Sequence, residues 1–276
     1  NLPFFPPFSV FRVSGDGVKS ADIPVPLLDV PLVHDFAITQ RFIIFPDNQL
    51  VMRPMELAKG EMPLACDPNK TPRFCLLPRY ALPEESALKA QWFEAPGVNC
   101  LHYLNAWEEG TNEVVLITSV LSPVERILQI PANCSSTLSE IRFNTRTGGV
   151  EQRIICSGIE LEFGVINQKY TGRKTRYAYI AEGGFPYYNG VVKVDLMQSG
   201  SKQECIVGKR EFGEGKYVGE PWFVEAKGAN SEDHGYLLCI VGDNNGGVSE
   251  LWVLDALSPT LEVVVVVELP IRVPLG

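Results

Sequence analysis

Only three histidines occur in these 276 residues, His34, His102 and His234, so imidazole chemistry has few possible sites. Seven cysteines are present, at 66, 75, 100, 134, 156, 205 and 239, but none forms a C-x-x-C pair and their number is odd. That pattern disfavours a zinc knuckle or a secreted disulfide framework and agrees with a reducing compartment. Positive charge is scarce too: 24 Lys and Arg stand against 33 Asp and Glu, a net charge of −9. The one basic cluster is Gly172-Arg173-Lys174-Thr175-Arg176, which leaves no footprint for nucleic acid. Apolar runs are short. Val263 to Val267, the longest, is too short to span a membrane and is expected to be a buried strand. No Walker loop, G-x-S-x-G elbow, H-E-x-x-H pair or helix-opening G-x-G-x-x-G is found. Helical periodicity is nearly missing, with Ala87 to Trp92 the one weak candidate.

What fills the chain is strand sequence. Arg41 to Phe45, Glu113 to Val120, Thr137 to Phe143, Val150 to Ser157, Arg176 to Ala181, Gly190 to Leu196, Gly235 to Val241, Glu250 to Leu254 and Leu261 to Leu269 are β-branched, aromatic or alternating. Pro46-Asp47-Asn48, Thr147-Gly148-Gly149 and Asp243 to Gly247 read as the turns between them. Regular hairpins without crossover helices predict one all-β domain over residues 1–276, as a sandwich, barrel or propeller.

Two histidines sit in apolar surroundings. His34 lies in Pro31-Leu-Val-His-Asp-Phe-Ala-Ile-Thr39, expected to be largely buried, and His102 lies in strand-like Leu101 to Glu109. His234, in Ser231-Glu-Asp-His-Gly235, reads as a solvated turn residue. Without further information a strand histidine is a hydrogen-bonded core residue. Glu162 in Leu161-Glu-Phe163 and Glu220 in Gly219-Glu-Pro-Trp-Phe-Val224 interrupt apolar strands. Such a carboxylate is either a satisfied structural acceptor or the partner that orients an imidazole for metal binding. The adjacent pairs Glu84-Glu85 and Glu108-Glu109 alternate faces on a strand and read as surface charge rather than glycosidase acids.

In its words the sequence resembles the plant carotenoid cleavage dioxygenases. The segments that carry the resemblance are Val33-His-Asp-Phe-Ala-Ile-Thr39, Phe45-Pro-Asp47, Leu77-Pro-Arg-Tyr-Ala81, Trp92-Phe93, His102 with Asn105-Ala-Trp-Glu-Glu109, Phe163-Gly-Val-Ile-Asn167, Gly172-Arg-Lys-Thr-Arg-Tyr177, Gly219-Glu-Pro221, Leu269-Pro and Arg272-Val-Pro274. They occur in the family's order along nearly the whole chain.

The resemblance implies a seven-bladed β-propeller, only part of which this chain holds, with Fe2+ on its axis bound by four histidines. His34 and His102 match two of them, and the other two are expected outside this chain. Glu162 matches the glutamate orienting His102, and Glu220 the one serving a histidine beyond Gly276. Phe36 and Leu101 fall at the substrate channel. The implied reaction uses O2 to cleave a carotenoid double bond into apocarotenoid carbonyl products, at the 9,10 (9′,10′) position. No side-chain acid or base is expected. Phe163-Gly-Val-Ile-Asn167, Gln203 to Val207 and Asp255 to Leu261 look most like the plastid type-four branch. The 9-cis-epoxycarotenoid branch is next, and a non-catalytic apocarotenoid-binding propeller is the rival from another class. Leu101, Val218-Gly219 and Leu275 depart from common family residues. A plastid setting follows from the resemblance, with peripheral contact to a plastid membrane or plastoglobule; the Pro-rich stretches Leu2 to Phe8 and Pro24 to Leu32 either help admit lipid-borne substrate or simply pack.

Overall fold

The computed structural model describes residues 8–25, 27, 31–129, 133–198, 203–244 and 247–274. Four antiparallel sheets of four or five strands follow one another along the chain, beside two two-stranded ones, Ser9–Val10 with Ile23–Pro24 and Leu50–Met52 with Leu64–Cys66. Sheet I is Ala37–Ile38, Phe42–Asp47, Arg73–Pro78 and Gln91–Glu94. Sheet II is Tyr103–Glu109, Glu113–Ser122, Ser135–Asn144 and Val150–Ile154. Sheet III is Leu161–Val165, Tyr177–Gly184, Tyr187–Asp195 and Ile206–Glu211. Sheet IV has five strands, Lys216–Val218, Trp222–Glu225, Gly235–Asp243, Glu250–Asp255 and Val263–Glu268. In sheets II and III each strand pairs with the next in sequence, and sheet I differs only in that the hairpin of Leu50–Met52 and Leu64–Cys66 intervenes between its second and third strands; this is the up-and-down pattern of which propeller blades are made.

The sheets pack face to face, and successive residues of one strand serve different interfaces. Val114 and Leu116 join Ile44, Phe74, Leu76 and Phe143 between sheets I and II. Val115 and Ile117 join Leu161, Ile180, Val192 and Val194 between sheets II and III. A strand buried on both faces therefore reads as a continuous apolar run. The third interface brings Val165, Tyr179 and Val191 against Phe223, Leu237 and Val241.

Carboxylates and amides stitch neighbouring sheets at their ends. Glu108 of sheet II accepts the Thr39 hydroxyl at 2.7 Å and the Arg41 amide at 2.9 Å. Glu232, before Gly235–Asp243, takes the Thr175 hydroxyl at 2.6 Å and the Tyr177 amide at 2.7 Å. Asn105 donates to the carbonyls of Tyr170 and Arg173 and accepts the Gly172 amide. Glu108 is thus a clamp, not the surface charge its sequence context indicated; Glu109 ion-pairs with Arg142 and Lys174.

Several expected elements move. Val264, Val265, Val266 and Val267 are 41–55% exposed rather than buried, because Val263–Glu268 is the outermost strand of sheet IV. Pro46 and Asp47 end a strand, paired with Phe74 and Arg73, instead of forming a turn. The helix expected over Ala87 to Trp92 is one turn, Ser86–Lys89, and Gln91–Glu94 is a strand. Thr147-Gly148-Gly149 is the expected turn, with Gly148 at φ 77° donating to the Asn144 carbonyl. Phe8, Val25 and Leu27 pack on the outer face of sheet I with Phe45 and Leu77, so ordinary packing accounts for the described parts of the Pro-rich stretches. Residues 1–7, 26 and 28–30 of those stretches, and Leu275, lie outside the described residues.

Candidate metal centre

His102 directly precedes Tyr103–Glu109, where the ladder with Glu113–Ser122 is broken by a bulge: Asn105 faces Ile117, and Tyr103 faces Thr118. Thr118 and Ser119 are the two polar residues in the middle of that apolar strand, and both are buried. The Thr118 hydroxyl donates to the His102 carbonyl at 2.7 Å. The Ser119 hydroxyl donates to the Leu161 carbonyl at 2.6 Å. One strand therefore pins the backbone at His102 and the backbone next to Glu162. A hydroxyl takes over where the bulge has removed a ladder partner, since a buried carbonyl left alone is unfavourable.

The Glu162 carboxylate reaches back to His102, with Oε2 2.8 Å from Nδ1. The same oxygen accepts the Phe163 amide at 3.1 Å. A carboxylate at Nδ1 fixes the imidazole tautomer and orients the ring. Burial disfavours a charged His102 ring, but the Glu162 hydrogen bond and the charges of Glu162, Glu220 and Asp35 outweigh it, raising the imidazole above its ordinary value. Glu162 is 4% exposed, and its Oε1 has no hydrogen-bond partner among the described residues. Phe163 sits at φ 55°, a left-handed conformation rare for an aromatic residue, next to the bulge between Glu162 and Val165. Its ring packs 4.8 Å from His102 and 5.1 Å from Tyr188.

His34 approaches from the other side. Its ring centroid lies 5.0 Å from that of His102, edge to face at 87°. It is exposed, not buried as its apolar neighbours indicated, because it sits on the loop that enters sheet I rather than on a strand. Asp35 beside it accepts the Tyr103 amide at 2.9 Å. Glu220 also faces this region. It is open to solvent, yet the surrounding protein, Asp35 and Glu162 raise its carboxyl, with His102 and His34 pulling the other way. His234 is remote in role: it lies in its turn, 3.3 Å from Asn230.

A cavity opens beside His102, walled by Leu101, Leu121, Ile127, Phe163, Phe185 and Tyr188. Leu101 lines this cavity. Phe36 is 51% exposed and takes no part in this wall.

The donor chemistry fits a ferrous ion as part of a shell. Imidazole suits iron, and metal–nitrogen bonds of about 2 Å let two rings this close share one ion. The unpaired Glu162 oxygen adds negative charge that a cation beyond the ring would offset. Among the described residues no group of three or more His, Cys, Asp or Glu side chains is arranged to hold a metal.

Asp35, Thr118, Ser119 and Phe163 join the site only in the structure. Thr118-Ser119 carried a signal, two hydroxyls interrupting Val114 to Leu121; the Phe163 backbone carried none.

Residues 3–276 match the RPE65 family, described as retinal pigment epithelial membrane protein. The chain is 42% identical, over 98% of its length, to the chloroplastic 9-cis-epoxycarotenoid dioxygenase NCED1 of Oryza sativa subsp. japonica, and covers 43% of that protein. It is likewise 42% identical, over 99% of its length, to the chromoplastic zeaxanthin 7,8(7′,8′)-cleavage dioxygenase of Crocus sativus, covering 75% of it. Its fold superposes on cobalt-substituted Synechocystis ACO with a TM-score of 0.81 at 22% identity, over 97% of this chain and 57% of that one. The chain spans 43% of the first of these relatives and little more than half of the solved structure. By the match over nearly its whole length, the chain belongs to the RPE65 retinal pigment epithelial membrane protein family, that of the carotenoid cleavage dioxygenases.

Proposed function

We propose that this chain carries part of the iron(II) site of a dioxygenase that cleaves a carotenoid double bond with O2. The observation that carries the reading is the pair of imidazoles 5.0 Å apart, one of them tied to a buried carboxylate. In this reading His34 and His102 are two of four histidine ligands on the axis of a seven-bladed propeller, the other two belonging to the parent protein. Glu162 holds the His102 Nδ1 proton, which leaves Nε2 free to bind. Iron(II), when held there, supplies the redox chemistry that activates dioxygen. Glu220 serves a further ligand histidine. The apolar cavity at Leu101 and Phe163 receives a stretch of polyene and keeps water from it. Phe36, exposed two residues along from His34, is assigned to the substrate channel in this reading by the family resemblance alone.

The bond proposed for cleavage is 9,10 (9′,10′), on the likeness of Phe163 to Asn167 to the type-four branch. Equal 42% identity to two relatives named for different substrates supports the reaction class without ranking its positions. The chloroplastic and chromoplastic relatives support a plastid location, where the substrate resides in membrane or plastoglobule.

The test is to load the full-length protein with ferrous iron, supply zeaxanthin or β-carotene with O2, and identify the products by chromatography and mass. Apocarotenoid aldehydes are expected, and their chain length reads the bond. Iron well below one equivalent together with no cleavage product would overturn the reading in favour of an apocarotenoid-binding propeller.

A further inference from the structure

We propose that Asp35 is a positioning residue that ties the two histidine-bearing segments together, setting the spacing of the imidazoles before any metal arrives. This rests on the metal reading of His34 and His102. Asp35 follows His34 in the chain, and Tyr103 follows His102. The Asp35 Oδ2 accepts the Tyr103 amide at 2.9 Å, so a single hydrogen bond joins the two backbones one residue from each ring. The other carboxylate oxygen, Oδ1, accepts the Phe36 amide at 2.7 Å, which fixes the Asp35 side chain against its own loop. Both oxygens therefore have directed work.

The need for this tie follows from the local backbone. His34 lies outside any strand, between the Pro31–Val51 bridge and Ala37–Ile38, and no ladder fixes its distance from sheet II. Tyr103 lies at the bulged start of its strand, where pairing with Thr118 is irregular. Thr118 holds the carbonyl side of the His102–Tyr103 peptide and Asp35 holds its N–H side. That peptide is clamped at both of its polar ends, by a hydroxyl of sheet II and by a carboxylate of the loop that enters sheet I. A charged acceptor makes the stronger bond, and its reach across the sheet boundary converts the rigidity of sheet II into a fixed place for the His34 loop.

The experiment uses metal-free full-length protein titrated with cobalt(II), whose d–d absorption reports ligand geometry. Asp35→Ala is expected to lower cobalt affinity 10–100-fold and shift the bands. Asp35→Asn, which keeps a carbonyl oxygen for the Tyr103 amide, is expected to stay within about threefold of the parent, since outer-sphere contacts act through that bond. Amide exchange of the metal-free parent should find Tyr103 as protected as the centre of its strand. Cobalt binding in Asp35→Ala with unchanged affinity and spectrum, while His34→Ala and His102→Ala lose it, overturns this proposal alone. Retention of cobalt by both histidine variants overturns the metal reading and this proposal with it. Should Asp35→Ala fail to fold, fast exchange at Tyr103 in the parent, or a loss in Asp35→Asn, overturns it.

Discussion

The two candidate ligands are built to unequal standards. His102 is 21% exposed at its side chain and is held at its ring by Glu162, at its carbonyl by Thr118, and against the Phe163 ring. His34 stands exposed on a loop, its described ring contact being His102 itself. The difference shows how a β-sheet scaffold places a polar ring. At a strand end, the neighbouring strand can lend hydroxyls and a carboxylate; a loop residue must borrow its position from the sheet opposite. One imidazole is pre-organised, and the other is placed relative to it.

The largest expected effect tests both sides at once. His102→Ala and His34→Ala should each take carotenoid cleavage by iron-loaded full-length protein to background, read as product formed. Their metal-free stabilities should then separate. Removing His102 leaves Glu162 buried short of a donor, worth about 1–3 kcal/mol, while removing the exposed His34 stays within about 0.5 kcal/mol by denaturant melts. Equal destabilisation would erase the comparison.

Glu162→Gln comes next. An amide offers a weaker acceptor to Nδ1, and iron affinity should fall roughly 10–100-fold by competition with a chelator. The fold should survive, because the side chain remains the same size.

Thr118→Ala removes the hydroxyl that holds the His102 carbonyl and should lower stability by about 0.5–1.5 kcal/mol in thermal or denaturant unfolding. The change belongs to the His102 side, so the Asp35–Tyr103 tie should still protect its amide from exchange.

The smallest effect is one of pH. Burial works to raise the Glu108 carboxyl, but hydrogen bonds from the Thr39 hydroxyl and the Arg41 amide hold it below its ordinary value. A lowered carboxyl favours folding above the ordinary carboxylate pKa of about 4.3, and that share disappears as pH falls through the folded value. Glu108→Gln should therefore flatten the loss of denaturant midpoint below about pH 4, with His102 and His34 untouched.

Much of the fold was legible because short-range rules govern it. The run Glu113 to Val120 announces a strand, and Thr147-Gly148-Gly149 the turn between Ser135–Asn144 and Val150–Ile154, since β-branching and glycine act within a few residues. The edge strand Val263–Glu268 is exposed where its apolar run predicts burial: five valines in a row specify a strand but not what covers it. Pro46 ends a strand where its type predicts a turn for a related reason, because proline is tolerated in a strand whose partner does not need its N–H.

In the site, the sequence alone marked His34, His102, Glu162 and Glu220 as odd polar residues in apolar company, and its words identified the family. It determined which groups were available, because residue type sets chemistry. Tertiary structure alone decided that His34 meets His102 across 68 positions of chain, as the Asp35–Tyr103 hydrogen bond does. It also decided that Glu162 turns to Nδ1 through a bulge beside a left-handed Phe163. Those outcomes depend on how one sheet stacks on the next, and stacking is fixed by the packing of many apolar residues together rather than by any local stretch of sequence.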